Sequence, residues 1–262
     1  MKKKNNEKVG ILGYGEVGKA VAKFYNDHKV KDLSRKDNFK GIDILNVCIP
    51  WSDKFSEIVE KEIKLSKPKL TIIHSTVEPG TTKQLSSKFK GMVVHSPVRG
   101  VHPRLHEGIR TFVKYIGADN KKAAELAKKH LESLGMKTEV FDSSTATELG
   151  KLLDTTYYGL TIAWHGEMKK LCDKFGVNFD ETVTHFNNTY NEGYKELGKH
   201  NVVRPVLYPP EGPIGGHCVV FNAEILKKHL DSKGIDLILD YSKKSKKLDG
   251  RTLHPEQGKG YT

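Results

Sequence analysis

Two glycine-flanked stretches, far apart in the sequence, hold the residues best able to do chemistry. Gly212-Pro213-Ile214-Gly215-Gly216-His217-Cys218 presents a thiol after a Gly-Gly pair that lets backbone approach a ligand closely. Gly13-Tyr14-Gly15-Glu16-Val17-Gly18 is a GxGxxG directly after an apolar run. In such a loop the first glycine makes a tight turn and the second admits a pyrophosphate. The third packs helix against strand, and the helix N-terminus offers N–H groups to the phosphates. A cysteine on a glycine-rich turn is ordinarily a small packing residue. Beside a dinucleotide, the same thiol can trap an aldehyde and hold it for a second oxidation.

Asp32 lies 19 residues after Gly13, placed to bond a ribose 2′-hydroxyl, which points to NAD. Ser34-Arg35-Lys36 could instead receive a 2′-phosphate, so NADP stays open. Cys48, Ile49 and Pro50 leave a second strong strand, where a loop would border the cofactor.

These residues need a scaffold, and the first half supplies one. Short apolar runs at 9–12, 42–49, 70–74, 92–95 and 112–116 alternate with helical patterns at 16–28, 53–65, 79–89 and 121–134. Such alternation predicts an α/β, Rossmann-type doubly wound sheet, mostly parallel and covered on both faces, over residues 1–141. After Asp142 apolar residues recur at helical spacing from Leu149 through Leu152, Leu153, Tyr157, Leu160, Ala163, Trp164, Met168 and Leu171 to Phe175. Ser143 and Ser144 offer N-caps, and Gly176 ends the run. This long connecting helix should found a helical domain over 142–232, with further helices at 178–194 and 222–230. Residues 233–262 read as a basic, loosely attached tail.

The 262-residue chain carries a formal charge of +12, much of it in terminal lysine runs. That excess suits an anionic small molecule. No helix carries a basic stripe interleaved with aromatics, so nucleic acid is not an expected partner. Three scattered cysteines suit a reducing, cytoplasmic setting, and no apolar run is long enough to span a membrane. His95, His102 and His106 cluster without a carboxylate or cysteine at ligand spacing, so no metal is expected.

Four stretches together resemble the nucleotide-sugar dehydrogenase family. They are the glycine loop, His74-Ser75-Thr76-Val77-Glu78-Pro79-Gly80-Thr81-Thr82, Thr147-Glu148-Leu149-Gly150-Lys151-Leu152-Leu153, and the run ending at Cys218. The resemblance implies oxidation of a primary alcohol on a nucleotide sugar to the acid, with two NAD consumed, in a homodimer built on the long helix. By resemblance Cys218 is the nucleophile, Lys151 stabilises developing negative charge, and Ser75 and Thr76 lie near the nicotinamide. Glu148, Lys151, Gly215, Gly216 and His217 are expected near the substrate, as are Arg99 and His102. Thr155 and Asn222 stand where the family has asparagine and aspartate, and Val98 replaces a glutamate of a Ser-Pro-Glu segment. Valine cannot act as acid or base. The family's C-terminal UDP-binding domain is expected to be lacking. Ser96-Pro97-Val98-Arg99-Gly100 is similar to the related β-hydroxyacid dehydrogenases, which perform one NAD(P)-linked oxidation with the same lysine. A catalytically silent NAD-binding paralogue is the third alternative.

Overall fold

A computed structural model describes residues 7–214 and 218–243. The chain divides into two compact units, Met1–Thr155 and Thr156–Thr262.

The first unit is a seven-stranded sheet: β1 (Val9–Leu12), β2 (Lys29–Lys31), β3 (Ile44–Val47), β4 (Leu70–Ile73), β5 (Val93–His95), β6 (Lys114–Gly117) and β7 (Thr138–Phe141). Their order is β2-β1-β3-β4-β5-β6-β7, parallel except at β5–β6, which is antiparallel and registered at the single pair His95–Gly117. Its helices are α1 (Glu16–Ala22), α2 (Phe55–Ser66), α3 (Thr81–Lys88), α4 (Leu105–Thr111) and α5 (Lys121–Ser133), followed by the start of α6 (Ser144–Phe175).

Side chains alternate across β3 and so build two cores. Ile44 and Cys48 join the apolar faces of α1, α4 and α5, while Leu45 and Val47 join Phe55, Val59 and Ile63 of α2 and Leu85 of α3. Each fully buried Ile, Leu, Val or Phe contributes about 1.5–3 kcal/mol. Both faces are covered, which explains the continuous apolar runs of the central strands.

Several local expectations change. The helix expected over 16–28 stops at Ala22, where the amides of Phe24 and Tyr25 bond back to Val21 and Ala22. Two elements escape the sequence pattern. β7 is an edge strand with Glu139, Val140 and Phe141 exposed, so it lacks the buried-strand signature. α4 is seven residues long and buries only Leu105, Gly108 and Ile109.

In the second unit, residues 156–175 of α6 are followed by a π-helical turn (Asp180–Thr184), α7 (His185–Glu196), α8 (Val219–Lys227) and α9 (Lys233–Ser242). A Cβ at Gly159 would lie 2.4 Å from Val219 Cγ1, and one at Gly166 would lie 2.4 Å from the Tyr241 ring. These two glycines let α8 and α9 close onto α6. The tail expected from residue 233 therefore begins too early, because Ile235 and Ile238 give α9 a buried face. The rest of that tail, 244–262, lies outside the described residues.

The apolar stripe of α6 is divided. Leu152, Ala163 and Cys172 are buried, whereas Leu149, Leu153, Tyr157, Trp164, Leu171 and Phe175 are exposed. Among the described residues no helix is long and apolar enough to cross a membrane.

Candidate active site

The order reversal at β2-β1-β3 opens a crevice at the carboxyl ends of β1 and β3, where open parallel sheets bind dinucleotides. The glycine loop enters it directly from β1. Gly13 has φ +92°, and a Cβ there would sit 2.8 Å from the backbone of Cys48 and Ile49. A Cβ on Gly18 would fall 2.0 Å from the Gly13 carbonyl oxygen, so helix and loop touch only because no side chain intervenes. At Gly15 a Cβ would meet nothing within 4 Å. The residues thus fit a pyrophosphate: two glycines are required by the fold, and the one between them leaves open space. Tyr14, Glu16 and Val17 complete the loop and the start of α1, and Cys48–Pro50 form the opposite lip.

Asp32 directly follows β2, and its carboxylate has no cation partner among the described residues. Arg35 is committed elsewhere: its Nε and Nη2 lie 3.0 and 2.7 Å from Asp37 Oδ2. Burial pushes the Cys48 thiol up to about 12, with Lys114 pulling the other way, so this sulfur is a packing atom rather than a nucleophile.

Next along the sheet edge, the β4–α3 corner carries Ser75 and Thr76. Ser75 Oγ donates to the Ile49 carbonyl at 2.6 Å, tying the corner to the cofactor lip. His95, at the end of β5, is a buried hub. Its Nε2 lies 3.1 Å from the Ser75 carbonyl and its Nδ1 2.8 Å from Thr147 Oγ1 on α6. Desolvation lowers its pKa to about 3, so the ring is neutral. A carbonyl can only accept, so Nε2 of the neutral ring carries the proton, while the Thr147 hydroxyl beside Nδ1 also lies 2.9 Å from the Ser144 carbonyl, to which it donates.

Glu148 is fully buried. Its Oε2 accepts from the Gly80 amide at 2.6 Å and its Oε1 from the Thr82 amide at 2.7 Å, so it caps α3. Through these two bonds Glu148 anchors α6 to the Thr76 corner. Lys151 lies one turn further along α6, half-buried and close enough for its charge to act on His95. Thr155 donates its hydroxyl hydrogen to the Lys151 carbonyl at 2.9 Å.

Arg99 stacks on the rings of Tyr115 and Phe112, 5.0 and 5.4 Å from their centroids, rather than reaching into open space. His102 Nδ1 lies 2.7 Å from Glu16 Oε2, which places it beside the glycine loop. Val98 is buried, its amide bonded to the His74 carbonyl.

In the second unit Cys218 is exposed at the N-cap of α8. Asn222, one turn on, is buried, and its Nδ2 has no hydrogen-bond partner among the described residues. Gly215, Gly216 and His217 lie outside the described residues. His95 and Lys114 were missed as positioning groups. The available signal was polarity in apolar strands: a lysine opening Lys114–Gly117 and a histidine closing Val93–His95.

No protein-family model matches the sequence. The chain is 34% identical over 206 residues to UDP-N-acetyl-D-mannosamine dehydrogenase of Methanococcus maripaludis, covering 72% of this chain and 45% of that protein. It is 26% identical over 237 residues to the enzyme of the same name from Pyrococcus horikoshii, covering 83% of this chain and 53% of that one. The chain belongs to the nucleotide-sugar dehydrogenase family. It spans about half the length of the curated relatives it matches.

The fold agrees. The solved UDP-D-ManNAc dehydrogenase of P. horikoshii superposes with a TM-score of 0.72 at 21% identity, over 90% of this chain and 68% of that one. The 3-hydroxyisobutyrate dehydrogenase of Mycobacterium tuberculosis superposes with a TM-score of 0.66 at 13% identity, over 90% and 92% of the two chains.

Proposed function

We propose that this protein is an NAD-dependent dehydrogenase that oxidises the primary alcohol of a nucleotide sugar toward the uronate. The carrying observation is the glycine cradle, open at Gly15 and closely packed at Gly13 and Gly18, in a chain of nucleotide-sugar dehydrogenase ancestry. NAD rather than NADP is favoured because Asp32 has no cation partner among the described residues while Arg35 is engaged by Asp37.

The bound nicotinamide supplies the hydride acceptor for each oxidation. Cys218 is the proposed nucleophile: its sulfur adds to the aldehyde carbon, and loss of a second hydride leaves a thioester. Water then breaks the carbon–sulfur bond, releasing the acid and restoring the thiol. Lys151 would face the oxygen as negative charge develops on it. Thr76 would line the reacting end of the cofactor, and His95 and Glu148 hold its corner and the lysine's helix together. Val98 leaves the hydrolytic step without a carboxylate from that position.

A single-oxidation, β-hydroxyacid type of reaction is the second reading. It is favoured by Val98, a buried valine that cannot act as an acid or base. The deciding experiment counts NADH formed per substrate consumed across UDP- and GDP-sugars and small hydroxyacids. Two per substrate, falling to one or none in Cys218→Ala, supports the first reading. One per substrate, unaffected by that substitution, supports the second. No turnover on any of them, with cofactor still bound, leaves a silent paralogue. The exposed apolar face of α6 further supports a homodimer.

A further inference from the structure

Lys114 is a lysine with 2% exposure, and among the described residues no carboxylate pairs with it. Its Nζ donates to two successive carbonyls, those of Ser96 and Pro97, the latter at 2.9 Å. A buried cation without a counter-ion is costly, so its retention at a strand position calls for a reason. The position supplies one. β5 and β6 form the sheet's antiparallel seam, and their ladder is registered at one pair of residues. Three side-chain interactions lace the chain leaving β5 to β6 beyond that pair. Lys114 holds the two carbonyls, Ser96 Oγ donates to the Tyr115 carbonyl at 2.7 Å, and Arg99 stacks on the Tyr115 ring. On its other side the same segment meets the β4–α3 corner, through Val98 N–H to the His74 carbonyl at 3.2 Å and His95 Nε2 to the Ser75 carbonyl.

We propose that Lys114 is a positioning residue for the dehydrogenase site: from inside the sheet it clamps the Ser96–Pro97 turn and so holds the corner carrying Thr76 in register. The location of the chemistry rests on the function proposed above; the clamp does not. Groups facing the ammonium come from four elements: Cys48 after β3, His74 after β4, His95 on β5 and Lys151 on α6. Desolvation brings the Lys114 pKa down to about 7, Cys48 opposing and Lys151 adding to the fall. The clamp survives that titration, because a neutral amine still offers two N–H groups to two carbonyls.

The test uses the full chain and Lys114→Met, with hydrogen exchange, NADH affinity and turnover read together. The amides of Ser96, Val98 and Arg99 should exchange about tenfold faster while those of β1 and β3 hold. Where the wild type turns over, kcat should fall about tenfold, as expected of a misplaced corner. NADH affinity should stay within about twofold, since a general structural role would weaken both together. If the methionine chain does not fold, Lys114→Gln is read in the same way. Unchanged exchange at Ser96, Val98 and Arg99, or a rise shared equally by β1 and β3, overturns the clamp. Unchanged kcat in an active enzyme overturns its role in positioning. An inactive wild type with localised exchange overturns the dehydrogenase reading and leaves the clamp standing.

Discussion

A methyl group added at position 15 and one added at position 18 should act on different properties. Gly15→Ala meets open space, so stability should stay within about 0.5 kcal/mol. The methyl would occupy the approach of the pyrophosphate, and NADH affinity should drop about tenfold or more, a change of about 1.4 kcal/mol. Gly18→Ala drives Cβ into a backbone oxygen and should cost about 1–3 kcal/mol of stability before any ligand is added. Paired thermal unfolding and NADH fluorescence titration check both; equal destabilisation would remove the cradle argument. Glu148 makes a second residue-scale claim. Burial raises its pKa to about 7, the Thr82 and Gly80 groups pulling it down. A folded pKa above the ordinary 4.5 means that its contribution is full below about pH 4.5 and lost as pH rises through about 7. Relative to Glu148→Gln, which does not titrate, the wild type should lose up to about 3 kcal/mol over that window. Urea unfolding of both chains from pH 4 to 8 measures the difference, and a constant gap contradicts it.

Elements were legible to different degrees. The central strands and α2, α3 and α5 follow from period and apolar content, because buried parallel strands cannot carry polar residues without partners. The exceptions make the point. Asn46 sits in β3 and His74 directly after β4, each fully buried, and they bond to each other at 2.8 Å. Asn46 Nδ2 then donates to Tyr25 Oη at 3.3 Å, and Tyr25 meets His130, which meets Glu7. Such a chain satisfies polar groups across distant segments, which a local pattern does not reveal. α4 and β7 were hidden for the opposite reason: little of either is buried. α8 and α9 depend on Gly159 and Gly166, whose role is visible only once Val219 and Tyr241 are placed against them. A glycine inside a helical pattern otherwise reads as a weak spot.

For the molecule as a whole, the division of the α6 stripe carries the strongest prediction. Tyr157, Trp164, Leu171 and Phe175 remain exposed on one chain. Large exposed apolar residues grouped on one helix mark an association surface. Trp164→Glu should convert a dimer to a monomer in sedimentation analysis while leaving the first unit's cofactor affinity unchanged. A wild-type monomer at micromolar concentration would refute it. The glycine fingerprint, the strand–helix alternation and the family relationship were written in the sequence itself, since each depends on residues adjacent along the chain or one helical turn apart. Tertiary structure alone decided that Glu148 caps a helix, that Arg35 and Arg99 are already engaged, and that Lys114 holds two carbonyls across a seam. A polar side chain's role depends on which donor, acceptor or ring lies within about 3–6 Å of it, and folding brings those partners from elsewhere in the sequence.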